Sequence, residues 1–160
     1  MDLAQKQTLA RLIRQQRWAA LATASSDATP LAAMVAYAFD EDFSGFYIHV
    51  SQLSQHTRHM LANPKASLVI SAVDKHDDDP QTLPRVSLSG SVSALARDSA
   101  DYDRARRLYL HRLPTATPLF DFTDFVLFRL TVDSVRFVGG FAQARSLGVK
   151  TLTECAAITE

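Results

Sequence analysis

Residues Ser51–Met60 read SQLSQHTRHM, placing two serines, a threonine, two histidines and an arginine within ten positions. The stretch follows an apolar run, GFYIHV, and precedes LANPKASLVI. A strand leading into a helix leaves backbone N–H groups unpaired at the helix start, where the macrodipole is positive. Phosphate groups bind such ends. Ser51 and Thr57 can add hydroxyl donors there, and His56 and Arg58 can add charge-assisted bonds. The cluster therefore suits a terminal phosphate. The plain alternative is a capped, solvated helix start.

Two further points could carry chemistry. Arg85 opens a segment whose neighbours are small, Ser87, Ser89 and Gly90. A planar ligand could approach that backbone while the guanidinium meets its carbonyls or phosphate; the alternative is a strand-end arginine reaching solvent. Gly139, Gly140 and Phe141 follow a long apolar run, where two glycines permit a sharp turn and close approach. Phe141 could cover a ring or fill the core.

Other patterns point away from several chemistries. His56 and His59 could share a helix face, but no third ligand has the spacing of a zinc site. His49, His76 and His111 are scattered, and Asp77, Asp78 and Asp79 beside His76 read as a solvated acidic turn rather than a cation site. Asp121 and Asp124 are not a paired acid and base without a pocket. No GxSxG, P-loop or GxGxxG pattern occurs. Cys155, the one cysteine, cannot form an internal disulfide and reads as a small side chain in a C-terminal tail.

The elements that must position these residues follow from periodicity and turn chemistry. Leu9, Leu12 and Ile13 have helical spacing, which predicts an N-terminal helix over about 2–17. WAALAT (Trp18–Thr23) reads as a strand and SSDATP as a turn. Leu31–Phe39 and Phe46–Val50, joined by DEDFSG, predict an antiparallel hairpin. Ser54–Ala62 predicts a short helix with Ser54 as N-cap, stopped by Asn63-Pro64. Lys65–Val73 and Arg85–Leu95 are strands, and Gly90 marks a bulge or a close approach. Ser99–His111 reads as a second substantial helix. Asp124–Val138 is a long strand bent or broken at Asp133-Ser134, and residues 142–160 form a tail. Many strands in hairpin order with few helices predict a mainly β fold with helices, a split antiparallel barrel.

The chain of 160 residues is expected to form one domain over 1–160. A chain of this size buries roughly 70% of its unfolded surface, enough for a core. Seventeen basic residues balance seventeen acidic ones. That balance argues against nucleic acid as a partner. No apolar run approaches the roughly 20 residues of a membrane span, and the N-terminus lacks the apolar stretch of a signal peptide. The expected location is cytoplasmic, with no membrane partner.

Taken in order, these segments resemble a known family. WAALATASSDATPLAAMVAYAFDEDFSGFYIHVSQLSQHTRHMLANPKASLVI, then RVSLSGSVSAL, then FVGGF, are similar to the FMN-binding split-barrel proteins related to pyridoxamine 5′-phosphate oxidase. The nearest branch is that of the HugZ-type haem-utilisation proteins. The resemblance covers residues 18–145. It implies a homodimer with two flavin sites at the subunit interface. Ala33, Met34 and Val35 would run beside the isoalloxazine. Ser51, His56, Thr57 and Arg58 would hold the phosphate. Arg85 would lie near the flavin, and Gly139, Gly140 and Phe141 would cover the ring or reach it from the partner.

The sequence also departs from the family. Ala33 stands where many relatives carry serine, His59 replaces a common asparagine, and Ala142 replaces the glycine of a GFG ending. The extra C-terminal domain of longer haem-utilisation relatives is not expected in this chain. The oxidase's basic C-terminal substrate signature is absent, which argues against pyridoxamine phosphate as substrate. The first expectation is an FMN-dependent oxidoreductase of a small or planar organic substrate, with no side chain marked as acid or base. The deazaflavin used by some split-barrel relatives fits the same reading. A haem-binding or haem-degrading protein and a non-catalytic flavin-binding module are the alternatives.

Overall fold

In the computed structural model, which describes residues 1–158, a curled antiparallel sheet carries helices at its ends and on one outer face. The N-terminal helix α1 spans Leu3–Gln15, capped by Asp2, whose carboxylate accepts from the Gln5 amide. Its buried side chains are Leu9, Ala10, Leu12 and Ile13, the stripe that the helical spacing predicts. Strand β1 is Trp18–Ala24, and β2 is Pro30–Ala36. Strand β3 is Ala38–Phe39, β4 is Gly45–Ser51, and helix α2 is Gln55–Ala62. Strands β5 (Lys65–Ser71) and β6 (Arg85–Ala94) precede helix α3 (Ala100–Arg112). A 3-10 segment over Pro114–Asp121 leads into the long strand β7 (Phe125–Val138). Strand β8 (Ala144–Leu147) and helix α4 (Val149–Ala156) follow.

The sheet order is β2-β1-β5-β6-β7-β4-β3, with β8 also paired to β7. Its two edge strands, β2 and β3, are consecutive pieces of one run. The expected single strand Leu31–Phe39 is therefore divided at Tyr37, and only Ala38 and Phe39 pair with β4, at Tyr47 and Phe46. Tyr37 causes the break. Its amide donates to Arg17 O and its hydroxyl to Ile13 O, which takes it out of both ladders. The bend lets one run serve opposite edges of the sheet, and so curls it into a split barrel.

The bulge expected at Gly90 is present. Ser89 pairs with Ser134 and Gly90 with Val132, so Asp133 is the extra residue on β7. The backbones approach so closely there that a Cβ on Gly90 would lie 1.9 Å from Thr131 O. The expected tail over 142–160 is a second correction, because it holds β8 and α4. Leu152 and Cys155 of α4 are fully buried against the barrel core. Arg14 closes this end of the molecule by donating to Ala156 O and Ile158 O.

Two apolar clusters result. The barrel interior gathers α1, α4 and the inward side chains, including Phe46, Ile48, Val50, Leu68, Leu88 and Phe128. The second lies outside β4 and β7, where α3 and the 3-10 segment bury Tyr47, Tyr102, Tyr109, Leu113, Phe120 and Leu127. Strand β4 is consequently buried on both faces, as a continuous apolar run requires. Among the described residues, no helix is long and apolar enough to cross a membrane.

Candidate functional site

A cavity of about 440 Å³ opens where β2, β4 and α2 meet the outer helical layer. Met34, Val35 and Ala36 form one wall, and Tyr109, Leu113, Ala116 and Leu119 another. Ser51, Ser54 and His56 supply its polar side. Trp18, Met34 and Leu119 are exposed at its mouth. Its lining contains no Lys, Arg, Asp or Glu.

The polar cluster of the sequence is divided by this geometry. Ser54 occupies the N-cap of α2, as expected, but its side chain makes no capping bond, so the first-turn amides are left for another partner. The Ser51 hydroxyl donates to the Asp124 carboxylate at 2.7 Å and accepts from the Leu53 amide at 3.1 Å, so it is occupied. His56 lines the cavity with its Nε2 buried and unpartnered. Burial, then the neighbouring His59, lowers its pKa and keeps the ring neutral. Thr57 is fully buried with an unpartnered hydroxyl. Arg58 is exposed and does not line the cavity. Ala33, half-buried on β2, does not line it either.

Arg85, Gly140 and Phe141 meet elsewhere. They line a separate cavity of about 400 Å³ with Ser87, Arg136 and Gln143, sharing no residue with the first. Sheet register explains the grouping. Arg85 faces Val138, and Ser87 faces Arg136, so these side chains share the outer face of β6 and β7. Arg85 donates to Gln81 O and Leu83 O, and neither arginine pairs with a carboxylate among the described residues. Phe141 is 78% exposed at the rim. Gly140 takes a φ of +156°, and Gly139 packs beside the Phe137 ring.

One polar residue of the first cavity is not marked by its spacing in the sequence. His49 lines its floor, 6% exposed, and both ring nitrogens are buried without a hydrogen-bond partner. Its ring stacks on Phe120 with centroids 3.8 Å apart, and Phe125 and Tyr109 complete an aromatic box at 5.0 and 5.9 Å. Burial, then the charges of Arg97 and Arg106, hold its pKa down to about 4, so it is neutral at pH 7. The signal was the alternation within GFYIHV: Phe46, Ile48 and Val50 face the barrel, and Tyr47 and His49 must face outward.

The sequence and fold match known proteins. Residues 3–153 fit the family model described as CREG, beta-barrel. The chain belongs to that family. This CREG-type β-barrel chain is 37% identical over 115 residues to the non-canonical heme oxygenase HOZ, chloroplastic, of Arabidopsis thaliana. That match takes in 72% of the chain but 33% of the relative, so the chain spans about one-third of the curated relative's length. Among solved structures, the heme-binding protein of Mycobacterium smegmatis superposes with a TM-score of 0.84 at 24% identity, over 96% of this chain and 62% of that one. A putative pyridoxamine 5′-phosphate oxidase from Listeria innocua superposes with a TM-score of 0.63 at 15% identity, over 84% and 98%. The split-barrel fold and the resemblance to its haem-utilisation branch both stand.

Proposed function

We propose that this CREG-type barrel is a haem-binding domain, with the macrocycle held in the cavity between β2, β4 and α3. The observation that carries the reading is the lining: apolar walls, two neutral imidazoles and no formal charge. A porphyrin presents a broad apolar face and brings four nitrogen ligands of its own, so a single protein donor would be enough to hold its iron. Bound haem supplies the iron redox chemistry; the chain's part is to bind it, orient it and exclude water. The names of the Arabidopsis relative and the mycobacterial structure support the same ligand.

The haem carboxylates need cations, which this cavity lacks. A second copy is the source we propose for them, with Arg85 and Arg136, which line the other cavity and pair with no carboxylate among the described residues, as the candidates. Homodimerisation is thus part of the proposal, and sedimentation tests it: a monomer at micromolar concentration in the presence of haemin removes it.

One observation favours flavin as the second reading. The uncapped first turn of α2, with the unpartnered His56 Nε2 of the cavity lining beside it, suits the phosphate of FMN. Parallel titrations of the purified chain with haemin and with FMN decide between them. A shifted, saturable Soret band is expected. Quenched FMN fluorescence with no haemin response would replace haem by flavin.

A further inference from the structure

We propose that His49 is the protein ligand to the haem iron. The inference rests on the haem reading and deepens it. Each of the other histidines is placed differently. His76 lies in an exposed loop beside Asp74, and His111 is exposed on α3. His59 is bonded through Nδ1 to the Thr23 hydroxyl. His56 stands at the first turn of α2, on the polar side of the cavity. His49 alone has both ring nitrogens buried and free, and it sits on a strand packed on both faces.

Packing alone does not require an imidazole at this position. Phe120, Phe125 and Tyr109 form an aromatic box that phenylalanine would fill, without leaving a buried donor and acceptor unmet. A metal ion answers that need, since neutral imidazole is the form that ligates metals. The nitrogens lie inside the wall rather than on the cavity surface, so the ring must turn to meet iron. No hydrogen bond holds the ring in place, and its ring neighbours are Phe120, Phe125 and Tyr109. Its other nitrogen meets no carboxylate or carbonyl, so the ligand is a plain neutral imidazole without the usual support that raises its basicity.

The test uses the full chain titrated with haemin, comparing wild type, His49→Ala, His49→Phe and His56→Ala. Soret absorption reports binding, and resonance Raman of the ferrous complex reports an iron–histidine stretch. Wild type should show the stretch, and whatever haemin His56→Ala still binds should show it too, since His56 lines the cavity without ligating the iron. Both His49 variants should lose it, with haemin binding at least tenfold weaker. Free imidazole should restore the ligated spectrum in His49→Ala, whose truncation leaves room for it, and not in His49→Phe. Persistence of the stretch in both His49 variants, or its loss in His56→Ala alone, overturns the assignment and leaves the haem reading intact. A wild-type chain that gives no Soret response to haemin overturns both.

Discussion

Replacing His49 with phenylalanine should make the ligand-free protein more stable. The exchange keeps a flat ring in the box formed by Phe120, Phe125 and Tyr109, and removes two nitrogens that have no hydrogen-bond partner. An unmet buried polar group costs about 1–3 kcal/mol, so a gain of about 2 kcal/mol at pH 7.5 is expected. For a chain of this size that is an increase in Tm of about 4–8 °C. The pH dependence supplies a second, independent number. His49 has a pKa held down to about 4 in the fold, against 6.5 when unperturbed. Between those values the unfolded chain binds the proton and the folded chain does not, so wild-type stability falls as pH falls through that window. At pH 5.0 the difference amounts to roughly 2 kcal/mol, and at pH 7.5 to almost nothing. The advantage of His49→Phe should therefore widen from about 2 kcal/mol at pH 7.5 to about 4 kcal/mol at pH 5.0. Urea denaturation of both proteins at both pH values measures it. Equal stabilities at pH 7.5 with no widening at pH 5.0 would refute the reasoning, because the imidazole would then be partnered in solution.

Three other substitutions probe the frame around the site. Gly90→Ala puts a Cβ on Thr131 O at the bulge and should cost about 3 kcal/mol or prevent folding, read from the urea midpoint. Arg112 donates to the carbonyls of Ile13, Arg14, Gln16 and Tyr37, and its guanidinium lies 4.5 Å from the Phe39 ring centroid. Arg112→Met should lower stability by about 2–4 kcal/mol, and lysine, with one compact ammonium in place of the fork, should recover less than half. Thr57→Val removes an unpartnered buried hydroxyl and should stabilise by about 1 kcal/mol in thermal unfolding. Haemin affinity should be unchanged by it, because Thr57 does not line the cavity.

The elements were largely legible because periodicity and turn chemistry are local. Leu9, Leu12 and Ile13 gave α1 its buried stripe, and Gly90 gave the bulge. The split at Tyr37 was not legible, because its cause is a pair of hydrogen bonds to Ile13 and Arg17, residues distant in sequence. The C-terminal helix was missed for a related reason: Leu152 and Cys155 acquire meaning only against a core built by other segments. For the site, the residues at the start of α2 read as donors to one shared phosphate, but neighbours in sequence need not point the same way. Ser51 turns to Asp124, Thr57 is sealed inside, and Arg58 faces out. Arg85 and Phe141 do share a cavity, but one that the register of β6 and β7 separates from His56.

Strand β4 divides stability from function by simple alternation. Its inward residues, Phe46, Ile48 and Val50, belong to the barrel core, which includes the fully buried Phe43, Leu68, Leu88 and Phe128. Its outward residues, Tyr47, His49 and Ser51, carry polar atoms into the cluster beneath α3 and the cavity beside it. A polar defect on that side leaves the barrel interior untouched, so the fold can tolerate one. Tyr47 donates to Asp40, itself paired with Arg104 and Arg129, and Ser51 donates to Asp124. Of the three polar side chains that β4 sends outward, two are satisfied within the protein. His49, beside the cavity, is the one left without a hydrogen-bond partner, which is why the proposed ligand role falls to it.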